Sequence, residues 1–401
     1  MPQIFDVAVA GGGIAGAAAC LALAGHGLRT CWLAPPAPAG DRPGESLSAT
    51  ARPMLAALGL KGLLDAPAHR PVAASFASWG TDALLERSAI ATPGGMGHVV
   101  DRARLEHDLA DAAARADGVR VLPHDLADFA REGGGWQVHP SGTAPLRARF
   151  LVDATGRRAA IGRRLAGGSR VDRLVAAYAF LRQVDRGVDP TPATLVEAVA
   201  GGWWYATLLP DGRLVVNFYS DPDLLPRGIR RDPAAWQCLA GETRYIARWL
   251  ESAGFTLAAP PRLASAGTGW LARAAGDDWI AVGDAAAAFD PLSAHGMTTA
   301  LWSGIHGAAA VRDALAGASG ATAAYDGRVR QGIARYRAGR QAVYAAETRF
   351  APHPFWSRRQ GTDGPFPQPD DDPARTVRDR STAHRAGPAA AAPSRNEGAC
   401  R

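Results

Sequence analysis

The stretch Trp279-Ile280-Ala281-Val282-Gly283-Asp284-Ala285-Ala286, with Asp290-Pro291-Leu292-Ser293-Ala294-His295-Gly296-Met297 behind it, reads as an apolar strand running into Gly-Asp and then a glycine-led helix. An aspartate at a strand end can accept a hydrogen bond from a ribityl hydroxyl. The amides that open the next helix then point at the N1/C2=O edge of a flavin ring and favour its anionic reduced form. An aspartate capping a buried, alanine-rich helix has the same appearance, so the segment needs a second half. That half stands far upstream as Gly11-Gly12-Gly13-Ile14-Ala15-Gly16, between an apolar strand at 5–10 and a helix at 17–26. The first glycine permits the tight turn, the second lets a pyrophosphate approach the backbone, and the third lets helix and strand touch. Helix amides face the diphosphate. Alone the fingerprint states only that a dinucleotide binds; joined to Gly283-Asp284 it points to FAD rather than NAD. The second strand ends in Leu33-Ala34-Pro35, without the acid that holds an adenosine ribose, so ribose binding must differ here.

Composition narrows the class. The chain has 401 residues, 47% hydrophobic and 20% charged, enough to bury a substantial core. Net charge is +6, but Lys61 is the sole lysine and the arginines are spread without an aromatic-interleaved basic run, which argues against nucleic-acid binding. Cys20, Cys31, Cys238 and Cys400 lack disulfide-framework or metal spacing, as expected of reduced thiols in a cytoplasmic protein with no metal. The apolar run from Ile14 to Ala24 is short and rich in Gly and Ala, so neither signal peptide nor membrane span is expected.

Outward from the two motifs, 28–33 reads as a second strand, and helices are expected around 48–58 and 102–116. Strands are expected at 119–122, 136–139 and 150–152, the last ending in Asp153-Ala154-Thr155-Gly156. From about 165 to 272 the texture changes to longer alternating strands with aromatics. The resulting expectation is an α/β fold with a discontinuous Rossmann-like FAD-binding domain (1–164 and 273–320). It carries an inserted, mostly antiparallel substrate sheet (165–272), a C-terminal helical segment (321–360, with a long helix over 321–349) and a disordered tail (361–401). Within the sheet, 202–210 and 213–220 form a hairpin turned by Asp211-Gly212. A two-residue loop pairs Trp204 with Tyr219 and Ala206 with Asn217 on one face, leaving Trp203, Tyr205, Val216 and Phe218 on the other.

Cofactor-binding candidates are Gly11, Gly13, Ala15, Gly16, Gly283, Asp284, Pro291, Gly296 and Met297. Arg102, which opens a helix, reads as a phosphate or adenosine contact or as an exposed arginine. Glu45 and Ser46, in Gly44-Glu45-Ser46-Leu47, read as a loop beside the flavin or as a helix-capping segment. Trp204, Asn217 and Tyr219 are the candidate substrate wall, the alternative being plain core. Asp290 and His295 flank the expected ring, either as proton shuttles or as an Asp-Pro turn and a helix-start histidine.

The order of GxGxxG, an arginine-led helix, Asp153-Ala-Thr-Gly and Gly283-Asp284 resembles the flavoprotein monooxygenases of p-hydroxybenzoate hydroxylase type, over about residues 4 to 350. Within that fold, Pro43-Gly-Glu-Ser-Leu, Gly202-Trp-Trp-Tyr, Asp290-Pro-Leu-Ser and Phe355-Trp356 look most like the branch shared with tryptophan halogenases. They look closest to the flavoproteins that hydroxylate protein-bound tryptophan during cysteine tryptophylquinone biogenesis. The resemblance implies FAD, O2 and a flavin C4a-hydroperoxide attacked by an electron-rich ring such as an indole, free or in a peptide. NAD(P)H or an external reductase would reduce the flavin, only one nucleotide fingerprint being visible. Against a halogenase, the hypohalite-handling lysine is replaced by His69-Arg70-Pro71-Val72-Ala73, and the halogenase Trp-x-Trp-x-Ile-Pro signature by Trp203-Trp204-Tyr205-Ala206-Thr207-Leu208. The alternatives are a flavin halogenase, an isoprenoid-saturating reductase of the same fold, and a non-catalytic carrier like the prenyl-protein escorts.

Overall fold

A computed structural model describes residues 4–37, 40–89, 95–185, 187–257 and 259–361. Residues 1–360 pack as one unit. The expected disordered tail lies, beyond Gly361, outside the described residues. In chain order the helices are α1 (Ile14–Gly25), α2 (Ala51–Ala57), α3 (Arg102–Arg115), α4 (Gly162–Ala166), α5 (Pro233–Gly241), α6 (Tyr245–Ser252), α7 (Gly296–Leu315), α8 (Ala321–Ala345) and α9 (Pro354–Gln360).

The fold is α/β. Its first sheet has the order Val119–Leu122, Thr30–Leu33, Ile4–Ala10, Leu146–Asp153, these four strands all parallel. The far edge of Leu146–Asp153 is shared. Its first half pairs antiparallel with Gly135–Pro140, and its last three residues pair parallel with Trp279–Ala281. The chain therefore returns to the opening sheet immediately before Gly283-Asp284. The central strands Ile4–Ala10, Thr30–Leu33 and Trp279–Ala281 are almost wholly buried, as the middle of a parallel sheet covered on both faces requires, while the edge strand Val119–Leu122 is not. Backbone crowding explains the glycines: a side chain on Gly11, at φ +120°, would collide with the Ala154 carbonyl, and one on Gly16 with the Gly11 carbonyl. Gly304 of α7 sits on Ala15 and Ala18 of α1, so the two long helices touch closely behind the sheet.

The second sheet runs, from one edge, Phe255–Leu257, Val175–Gln183, Leu214–Ser220, Gly202–Leu208, Ala193–Val199, Ala74–Ser78, Leu85–Ser88. Arg262–Ser265 also pairs with Val175–Gln183. It is mostly antiparallel, but it recruits Ala74–Ser78 from far upstream as a parallel neighbour of Ala193–Val199.

The hairpin register differs from the expected one. Trp203 pairs with Tyr219, Trp204 with Phe218, Tyr205 with Asn217 and Leu208 with Leu214. A two-residue loop would have set Pro210 opposite Arg213, and proline has no N–H for the ladder. Instead Leu209 and Arg213 close a three-residue loop, with Leu209 accepting from Gly212 at 3.1 Å and Gly212 at φ +83°. Proline is well suited to the first corner of such a type I turn, and glycine to its left-handed end. The one-residue slip moves Trp204 and Tyr219 to opposite faces of the sheet.

Each face has its own cover. Trp204 is fully buried under α5 and α6, stacked on Phe218 at 4.8 Å and edge-on to Trp236 at 5.5 Å. Trp203 stacks on Tyr219 at 4.0 Å on the other face, capped by Tyr344, Phe355 and Trp356 from α8 and α9. Among the described residues, no helix is long and apolar enough to cross a membrane.

Candidate functional site

The ends of α1 and α7 carry the first part of the site. At Gly13, the N-cap of α1, no side chain caps the helix, no acid stands in the first turn, and an added Cβ would meet nothing within 4 Å. The same holds at the start of α7, where His295 makes no side-chain cap and Gly296 faces open space. Both N-termini thus leave amides and a positive dipole end for an anionic or carbonyl group. Gly283, at φ +60°, packs against Ala15 and Ala300, which brings the Gly-Asp turn to the glycine-rich turn.

Charges join the pieces. Asp284 lies 3.3 Å from Arg157, with 36% of its side chain exposed. Burial pushes its carboxyl up, opposed by the charges of Arg157 and Arg102. Arg102 donates to Glu106 at 2.9 Å and to the Pro43 carbonyl, so it also anchors the loop that carries Glu45. Glu45 is buried and its carboxyl is pushed up to about 7 by loss of water, against backbone hydrogen bonds, including Gly44 N–H at 2.8 Å, and the Arg102 charge. Burial raises the phenols of Tyr205 and Tyr219, Glu45 raises both further, and Asp290 adds to the second. Asp284, Arg102, Glu45, Tyr205, Tyr219 and Asp290 therefore form one electrostatic neighbourhood, though they come from four separate parts of the chain. Ser46 joins a short strand beside Val99 and is placed by that loop.

Of the expected substrate wall, Asn217 and Tyr219 lie on this side of the sheet and Trp204 does not. Trp204 belongs to the core under α5 and α6, a correction that the hairpin register imposes. Asn217 is 1% exposed and neither its amide oxygen nor its amide nitrogen has a partner; the Tyr205 hydroxyl opposite it is also unpartnered. Unmet buried polar groups are costly, so this pair marks a place built for a ligand's polar edge. Open helix ends, the partly exposed Asp284 and this orphaned amide are together a donor and acceptor set that fits FAD.

Asp290 is held firmly. It accepts from the Tyr344 hydroxyl at 2.7 Å and from the Leu292 amide at 3.0 Å, with Arg340 at 3.6 Å. Trp203 donates to the Tyr344 oxygen at 3.2 Å, which ties the loop to the sheet. Pro291 begins the turn after it, Met297 is buried in the first turn of α7, and His295 is exposed at the loop's end.

Behind that loop, between α7 and α8, lies a cavity of about 670 Å3. Gly283, Asp290, Ser293 and His295 line it, and so do Phe289, Trp302, Tyr336 and Arg340, which sequence reasoning did not single out. Helical spacing held a signal: His295, Thr298, Thr299 and Trp302 fit the i, i+3, i+4, i+7 pattern of one face. No candidate from the substrate wall lines this cavity.

Known proteins share this fold. The tryptophan halogenase family model matches residues 87–383. LodB of Marinomonas mediterranea, provisionally named an FAD-dependent oxidoreductase, is 27% identical over 370 residues, 89% of this chain and 97% of LodB. Among solved structures, the peptidyl tryptophan dihydroxylase QhpG, essential for tryptophylquinone cofactor biogenesis, is 26% identical with a TM-score of 0.71. That match covers 90% of this chain and 79% of QhpG. The myxobacterial chondrochloren halogenase CndH, at 23% identity and a TM-score of 0.80, shares the fold over 94% of this chain and 90% of its own. The chain belongs to the tryptophan halogenase family and is an FAD-dependent oxidoreductase.

Proposed function

We propose that this protein is a monooxygenase that hydroxylates an indole, specifically a tryptophan within a polypeptide on the way to a quinone cofactor, in the cytoplasm. Residues 1–164 and 273–320 hold FAD, with Gly11, Gly13, Ala15 and Gly16 at the diphosphate, Asp284 and Arg102 along the ribityl and phosphate path, and Pro291 to Met297 at the ring. Reduced FAD supplies activated oxygen from O2, with electrons from NAD(P)H or an external reductase. The protein's own part is orientation and exclusion of water. Asn217 and Tyr205 hold a polar edge, Tyr219 and Trp203 form a dry wall, and Asp290 holds the loop through Tyr344. Indole is nucleophilic enough to need no buried base.

The observation that favours hydroxylation over halogenation is the position of the only lysine. Lys61 is exposed in the turn after α2 and does not line the cavity. No lysine is therefore placed to carry hypohalite to a substrate. The likeness to QhpG, whose name gives peptidyl tryptophan dihydroxylation, supports the same reading. Mass spectrometry of a tryptophan peptide incubated with FAD-loaded protein, reductant, O2 and bromide tests it. Added oxygen on tryptophan is expected; bromine on the ring would instead establish the halogenase alternative.

A further inference from the structure

We infer that the cavity between α7 and α8 is a recognition site for an acidic polypeptide, taking an aromatic side chain inside and flanking carboxylates at its arginine-bearing mouth. The chemistry done on the bound chain rests on the hydroxylase reading; the binding itself does not.

Space in the cavity is made by glycine. Gly332 and Gly339 stand two turns apart on the face of α8 that lines it, and a Cβ added to either would meet nothing within 4 Å. Mid-helix glycine is unfavourable, so two of them on one face keep a volume open at a cost to the helix. The walls suit an aromatic guest. Phe289 stacks on Tyr336 at 4.2 Å, and Trp302 of α7 lines the cavity together with Met54 and Val343. Inside, Thr298 is 6% exposed and its hydroxyl has no partner. That hydroxyl can serve an indole N–H or a peptide carbonyl.

The mouth selects for negative charge. On α8, Arg330 pairs with Asp326 and Arg340 with Asp172, at 3.0 Å for the latter. Arg328 and Arg335, by contrast, line the cavity, are exposed and form no ion pair with a carboxylate among the described residues. Being seven residues apart on a helix, they are separated by roughly 10 Å. A single small amino acid cannot reach both. On an extended chain, residues two apart share a face and stand about 7 Å apart, and the long glutamate and arginine side chains close the remaining ~3 Å, which makes a polypeptide the fitting partner.

The test is fluorescence anisotropy with the full-length, FAD-loaded protein and labelled Gly/Ser decapeptides carrying one tryptophan. One peptide has two glutamates two residues apart, on one face of the extended chain, the other has glutamines in their place. The acidic peptide is expected to bind about 5-fold tighter, the sum of two exposed ion pairs, and to lose that advantage in raised salt and in the Arg328→Gln/Arg335→Gln variant. Gly332→Phe, which fills the cavity, is expected to weaken both peptides while the flavin absorbance stays as in the parent. Equal affinity for the two peptides, or no binding of either, overturns the inference. A gain in affinity on changing Asp370, Asp371 and Asp372 to Asn would assign the site to the chain's own acidic run and overturn it too. Binding as expected with no oxygen added to tryptophan would reject the hydroxylase reading and leave this site standing.

Discussion

Glu45 carries the most informative titration in the site. Burial raises its carboxyl from an ordinary value near 4.5 to about 7. Below pH 4.5 it is neutral in both folded and unfolded chains. Between pH 4.5 and 7 the unfolded chain ionises first, so stability falls as pH rises through that window, by up to about 3 kcal/mol, and levels off above 7. Glu45→Gln is expected to flatten this slope in the apoprotein, measured by denaturant melts at pH 5 and pH 8; an unchanged slope would reject the assignment. Trp204 makes the opposite point, since it belongs to the core. Trp204→Ala should cost about 3–5 kcal/mol in unfolding free energy, the range for a buried large aromatic, while leaving the apparent Kd for FAD within a few-fold of the parent. Both positions could be named from the sequence, but Trp204 lies on the opposite face of the sheet from the one expected for it. The faces of a strand depend on register, and Pro210 shifted that register by one residue.

At the scale of elements, α8 and α9 decide what covers the sheet. Arg359 is buried and holds Asp221 through contacts of 2.6 and 3.1 Å, with Phe355 under its guanidinium at 3.8 Å. Asp221→Ala would leave Arg359 without its buried carboxylate, and a loss of about 3–5 kcal/mol is expected, together with faster proteolysis between α8 and α9. Gly332→Ala should act in the other direction, stabilising α8 by roughly 0.5–1 kcal/mol with no steric conflict. Thermal melts check both. The long helix over 321–349 was legible from composition, though the structure ends it at Ala345 and adds α9 at Pro354. The role of Phe355 and Trp356 as a lid over Trp203 was not legible, because nothing local to the sequence relates α9 to the hairpin far upstream.

For the whole molecule, the proposed FAD site joins parts that are far apart in the chain. Glycine turn, Arg102, Asp284 and the 290–297 loop come from separate segments, so bound FAD should stabilise the native state by RT ln(1 + [FAD]/Kd), about 2.7 kcal/mol at a hundredfold excess over Kd. Stripping the flavin is expected to lower Tm accordingly. Asp284→Ala should shrink that gap by weakening FAD binding, as read by retained 450 nm absorbance after gel filtration; full retention would remove Asp284 from the flavin contacts. The two glycine motifs and the strands beside them were determined by sequence alone, because close backbone approach admits only glycine and such constraints are local. Which face of the hairpin lies beside Glu45 and Asp290, where the open cavity lies, and which arginines remain without carboxylate partners among the described residues were decided only by tertiary structure. Those properties depend on strand register and on helices packing across hundreds of residues, and no local pattern encodes the far side of such a contact.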